Sequence, residues 1–218
     1  MAKRKLQRFA EIGTFDNVKQ LEEGKAFKGK WAKNFFKNDN PLILELACGK
    51  GEYSVNLAKK FPDKNFVGID YKGNRLWVGA KMAIDEGIKN VGFLRIQIQN
   101  ILDYFADGEV EEIWLTFPDP QAQSPLERKR LTNPTFLKKY QTALKPKGIM
   151  HLKTDNDGFF EYTLEKLAEL KIPIIQQTKD VHQDFPDDEI LAIKTHYERI
   201  YLSKAKNINY LKFSFLAS

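Results

Sequence analysis

"LILELACGKGEYSVNLAKKFPDKNFVGID", residues 42–70, carries the pattern that decides the architecture. "LILELA" (42–47) is a near-continuous apolar run of strand length, and helical spacing follows over 51–61. "NFVGID" (65–70) is a second buried run. Outward from this unit the alternation continues. A helix is expected at 73–86, strands at 91–96 ("VGFLRI") and 112–117 ("EIWLTF"), and a helix at 134–144. A strand at 148–154 ("GIMHLKT") and a helix at 157–169 complete the series. Short apolar strands alternating with helices specify a mostly parallel α/β sheet covered by helices on both faces.

The alternation breaks near the C-terminus. "IPIIQQT" (172–178) reads as a strand, and 180–194 is an acidic, irregular connection. Tyr197, Ile200 and Tyr201 then recur at helical spacing, and "INYLKFSF" (208–215) alternates as a late strand does. Residues 1–40 show no firm periodicity beyond a helix over 15–23. They are expected to form a basic N-terminal arm, partly mobile or ordered on binding, ahead of a domain over 41–218.

Charge is unevenly placed. The net charge is +6, and residues 1–40 hold ten Lys/Arg against five Asp/Glu. Residues 124–147 hold seven against one, so the rest of the chain is mildly acidic. Two basic surfaces on an acidic body suit a polyanion such as nucleic acid, or are simply solvated. No apolar run approaches the ~18 residues of a membrane span, and "MAKRKLQRFAEIG" has no signal-peptide core. One cysteine, Cys48, excludes an internal disulfide, and three scattered histidines make a metal cluster unexpected. These features lead us to expect a cytoplasmic, metal-free protein with no membrane partner, a monomer or a homodimer.

Between the first strand and its helix lies Ala47-x-Gly49-x-Gly51, where glycine permits positive φ and close approach of a ligand to backbone. Open α/β sheets bind ligands at this carboxyl end. Residue 52 is Glu where a dinucleotide fingerprint would need its last glycine. Asp70, ending the second strand, is placed to accept hydrogen bonds from a ribose diol. Glu45 is an acid inside an apolar strand, costly unless paired, and could hold a ligand's ammonium group. A ligand with both an amino acid end and a ribose, such as S-adenosylmethionine, fits these groups.

Farther along, "FPDP" (117–120) pins Asp119 between two prolines at a strand end, and Arg128-Lys129-Arg130 follows. Asp155 could serve only as the cap of the helix after it, and Thr195-x-x-Glu198 has the form of a capping box.

Taken together, "ELACGKG", "NFVGID", "FPDP", "RKRLTNPTFL", "LKTD" and "THYE" resemble, in order, the tRNA (guanine-N7)-methyltransferases. The likeness spans about residues 42–200. It implies a Rossmann-like class I methyltransferase fold with an antiparallel C-terminal strand. It also implies S-adenosylmethionine as cofactor, tRNA as partner, and methylation of guanosine N7 in the variable loop. On that resemblance Glu45, Gly49, Asp70, Gln97 and Asp119 would bind cofactor, with Asp119 catalytic. Gln123, Asp155, Thr195 and Glu198 would bind the substrate, and Arg128, Lys129 and Arg130 the RNA phosphates. The chain departs from the family at Ala47, where glycine is usual. It also has Gln121 where Trp is common and Gln123 where a substrate-binding lysine stands. Methylation of another RNA base or of protein, and an inactive tRNA-binding relative, are the alternative readings.

Overall fold

The computed structural model describes residues 2–215. Within them eight strands form one sheet: β1 (Val18–Gln20), β2 (Leu42–Leu46), β3 (Asn65–Asp70), β4 (Val91–Arg95), β5 (Val110–Thr116), β6 (Leu144–Thr154), β7 (Ile174–Thr178) and β8 (Asn209–Ser214). Their order is β1-β4-β3-β2-β5-β6-β8-β7. The pairings from β1 through β6 are parallel, and β8 lies antiparallel between β6 and β7. The progression of the strand order reverses at β2: the chain runs from β2 to β3 and β4 on one side, then returns to β5 and β6 on the other, with all of these strands still pointing the same way. A crevice is expected beyond the carboxyl ends of those strands.

Among the described residues eight α-helices surround the sheet: α1 (Ala2–Ile12), α2 (Leu21–Lys25), α3 (Glu52–Lys60), α4 (Gly73–Asp85), α5 (Pro134–Ala143), α6 (Asp157–Glu169), α7 (Val181–Asp184) and α8 (His196–Leu202). Side chains alternate across β2. Leu42, Leu44 and Leu46 join the core on the α5 face, whereas Ile43 packs with Tyr53, Phe66 and Phe93 on the α3 face. The same alternation turns Glu45 toward α3, where Ser54 donates to it. No helix among the described residues is long and apolar enough to cross a membrane.

The first 40 residues differ from expectation. The helix expected over 15–23 is instead β1 followed by α2. The Phe93 N–H donates to the Asn17 carbonyl at 2.8 Å, and β1 extends the sheet alongside β4. Trp31, in a π-helical turn over Trp31–Phe36, is fully buried against Phe105 and donates its indole N–H to the Tyr104 carbonyl. Helix α1 lies on α4, with the Arg8 guanidinium over the Trp77 ring and Trp77 donating to Glu11. The expected arm is therefore packed onto the domain from residue 8 onward. Pairing with an edge strand distant in sequence leaves no local periodicity to read.

Candidate active site

Two turns meet beyond the carboxyl ends of β2, β3 and β5. In the turn after β2, Ala47, Gly49 and Gly51 all have positive φ (57°, 57° and 67°). Alanine holds this conformation at a cost of about 1 kcal/mol. A Cβ on Gly51 would stand 2.3 Å from the Phe93 ring, so glycine is required there by packing. A Cβ on Gly49 would meet nothing within 4 Å, which leaves that backbone open to a ligand. Asp70 closes the turn: one carboxylate oxygen accepts the Gly49 N–H at 3.0 Å and the other the Lys72 N–H at 2.8 Å. Each oxygen keeps a further lone pair for a ligand hydroxyl.

The second turn follows β5. Phe117 has φ of 52° and donates its N–H to the Lys153 carbonyl at 2.8 Å. Asp119 is exposed; Oδ1 accepts the Gln121 N–H at 3.0 Å, and Oδ2 accepts no hydrogen bond among the described residues. Between the turns opens a cavity of about 660 Å³, within the ~300–1,000 Å³ of small-molecule sites. Ala47, Asp70, Gln97, Asp119, Arg128 and Lys129 line it, with apolar Ile96, Ile98, Phe117 and Leu131.

Several expected site residues lie elsewhere. Glu45 is buried beneath the turn, its oxygens accepting from Ser54 N–H (2.9 Å), Ser54 Oγ (2.5 Å) and Thr116 Oγ1 (2.5 Å). Burial pushes its carboxyl up to about 7 against those hydrogen bonds. It braces α3 against the end of β5 and does not face the cavity to meet a ligand ammonium group. Arg130 is half-buried and engaged within the protein: it donates to the Gln121 and Ala122 carbonyls and covers the Tyr162 ring at 4.3 Å, and it does not line the cavity. Gln123 is exposed ahead of the 3-10 turn Ser124–Lys129 and does not line the cavity.

Two of the three C-terminal candidates, Asp155 and Glu198, are held in ion pairs. Asp155 is not the cap of α6, a role that Asn156 takes by accepting from Phe159 N–H; Asp155 pairs with Lys206 at 2.7 Å. Thr195 and Glu198 form a capping box on α8, and the fully buried Glu198 carboxylate pairs with the fully buried Lys153 ammonium at 2.8 Å. Burial lowers the Lys153 pKa, opposed by Glu198. Neither Asp155 nor Thr195 nor Glu198 lines the cavity.

Sequence reading also missed lining residues. Tyr71, more than half exposed, Lys72 and Arg75 follow Asp70 directly into α4 and bring a second pair of cations to the lining that holds Arg128 and Lys129. Two cations three residues apart, just after a ribose-type acid, were the available signal.

Residues 39–211 match the family model described as "Putative methyltransferase". The chain is 48% identical over 219 residues to a tRNA (guanine-N(7)-)-methyltransferase of Christiangramia forsetii, covering 97% of this chain and 98% of the relative. A tRNA (guanine-N(7)-)-methyltransferase of Bacteroides thetaiotaomicron is 45% identical, covering 98% of this chain and 86% of the relative. The chain belongs to the tRNA (guanine-N(7)-)-methyltransferase family. The family fold extends to distant structures. The 16S rRNA methyltransferase KamB superposes with a TM-score of 0.63 at 15% identity, covering 82% of this chain and 89% of KamB. A 16S rRNA (adenine(1408)-N(1))-methyltransferase from Catenulisporales acidiphilia, solved with cosubstrate SAM, gives 0.58 at 13%, covering 87% of this chain and 91% of that one.

Proposed function

We propose that this protein transfers a methyl group from S-adenosylmethionine to N7 of guanosine in tRNA. The observation that carries the reading is the juxtaposition of Asp70 and Asp119 in one cavity lined also by two pairs of cations. The donor set fits the cofactor. Asp70, fixed by two backbone N–H groups, would hold the ribose diol, and the open backbone at Gly49 admits close approach. Ile96 and Ile98 supply apolar surface for the adenine, beside Gln97. When bound, the cofactor supplies an electrophilic sulfonium methyl.

Guanine N7 is an unprotonated lone pair in neutral RNA, so no base is needed to make it nucleophilic. The chain's task is alignment, which in ideal systems contributes up to ~7–11 kcal/mol. Asp119, whose Oδ2 accepts no hydrogen bond among the described residues, is the proposed catalytic residue; it accepts hydrogen bonds from the guanine N1–H and amino edge and thereby sets N7 in line. The base must leave its stack to enter, at a cost of a few kcal/mol. Arg128 and Lys129, together with Lys72 and Arg75, hold the flanking phosphates. Because Glu45, Asp155 and Glu198 are engaged within the protein, their part is to shape the walls.

Unmodified tRNA transcript incubated with protein and labelled S-adenosylmethionine, followed by nucleoside mass spectrometry, tests the proposal. It should yield 7-methylguanosine. A different methylated nucleoside overturns the substrate, and no methylation overturns the activity.

A further inference from the structure

We propose that Lys153 is a positioning residue, one that ties the Pro118-Asp119-Pro120 turn, which lines the site at Pro118 and Asp119, to the 188–198 segment that supports it from outside the cavity. The proposal rests on the methyl-transfer reading above. Lys153 lies next to the end of β6, in register with Thr116 of β5. Its carbonyl accepts the Phe117 N–H at 2.8 Å. Its ammonium donates to the Leu191 carbonyl at 2.9 Å, the Ile193 carbonyl at 3.3 Å and the Glu198 carboxylate at 2.8 Å. Three N–H bonds thus meet three acceptors, a set that no neutral side chain supplies.

Those acceptors belong to one continuous segment. Asp188 accepts the N–H groups of Ile190 and Leu191, both at 2.9 Å, and the Tyr53 hydroxyl donates to the Ile190 carbonyl at 3.0 Å. Beyond it, Glu198 also meets His182 Nε2 at 2.9 Å and takes part in the α8 capping box. The His196 N–H donates to Glu52 at 2.7 Å, which ties α8 to the first turn of α3. From α8 the Tyr201 ring returns to Phe117 at 5.7 Å between centroids. Lys153 therefore reaches Phe117 twice, through its own backbone and through the segment its side chain gathers.

Phe117 needs such support, because a non-glycine residue at φ of 52° is kept there only by its surroundings. Asp119 is two residues on. A buried ion pair is a poor stabilising device compared with apolar residues of similar volume. What the Lys153–Glu198 pair provides in this fold is a directed, three-way junction.

The test uses the full chain and two variants. Lys153→Met/Glu198→Gln removes the junction without leaving a buried charge, and Asp188→Ala loosens the same segment from its solvent side. Hydrogen exchange should quicken about tenfold at both 117–121 and 188–198 in the double variant, with β2 and β3 unchanged. Cofactor Kd by calorimetry should stay within about threefold, while kcat for 7-methylguanosine falls about tenfold or more. Asp188→Ala should show the same pattern with a smaller loss, and it alone decides if the double variant does not fold. Unchanged exchange at 117–121 overturns the proposal, as does kcat within about twofold of wild type in a loosened variant. Cofactor affinity falling in parallel with kcat overturns it too, since the lesion is then general. Wild-type protein that makes no 7-methylguanosine counts against the function, and the exchange comparison then decides this inference alone.

Discussion

Ser54 gives Glu45 two hydrogen bonds at the same carboxylate oxygen, from its N–H at 2.9 Å and its hydroxyl at 2.5 Å. This fastens the first turn of α3 to β2, and Thr116 fastens the other oxygen to β5. Because burial raises the Glu45 carboxyl to about 7, the folded state binds its proton more tightly than the unfolded chain does. Its share of stability is present below pH ~4.5 and lost as pH rises through about 7, up to roughly 3 kcal/mol. Glu45→Gln, which mimics the protonated acid, should match wild type near pH 4 and exceed it in denaturation midpoint above pH 7. Parallel stability profiles across that window would show that Glu45 does not titrate there.

Asp119 is exposed and its Oδ2 is unengaged among the described residues, so Asp119→Asn should leave the melting temperature within a degree or two, on the order of surface substitutions. Methylation should nonetheless fall about 10²-fold or more, the scale of a lost orienting contact. Steady-state kinetics with saturating cofactor checks this, and near-full turnover would remove Asp119 from its proposed role.

Arg128 and Lys129 line the cavity, whereas Arg130 is bound to the Gln121 and Ala122 carbonyls and the Tyr162 ring. Replacing Arg128 and Lys129 by Ala should reduce the salt slope of tRNA binding by about 1.5–2, near one unit per phosphate contact. Arg130→Ala should leave the slope alone and lower stability by about 1–2 kcal/mol through the loosened loop. Filter binding over a salt series and thermal melts separate the two effects.

Gly49 and Gly51 differ in what a methyl group would meet. Gly51→Ala drives Cβ into Phe93 and adds backbone strain, so a stability loss of about 2–4 kcal/mol is expected. Gly49→Ala meets open space, costs only about 1 kcal/mol, and should instead weaken S-adenosylmethionine binding about tenfold or more by filling the approach. Calorimetry and melting curves on both variants give the answer; equal cofactor affinity in Gly49→Ala and wild type would mean the ligand does not approach that backbone.

The amino-acid sequence by itself determined the parallel sheet, because β2, β3, β4 and β5 are short apolar runs whose burial needs no partner to be named. It also placed the glycine turn, Asp70 and Asp119, since strand ends and proline flanks are local features. The Thr195–Glu198 capping box was equally legible, being a four-residue pattern. What only the tertiary structure decided is which charges face the cavity. Lys153 meets Glu198, Asp155 meets Lys206, and Glu45 meets Thr116 across separations of 45, 51 and 71 residues. Trp31 enters the core beside Phe105 by the same kind of long-range packing. A carboxylate looks alike in sequence whether it awaits a ligand or is already neutralised. The partner that decides between them is brought close only when the chain folds.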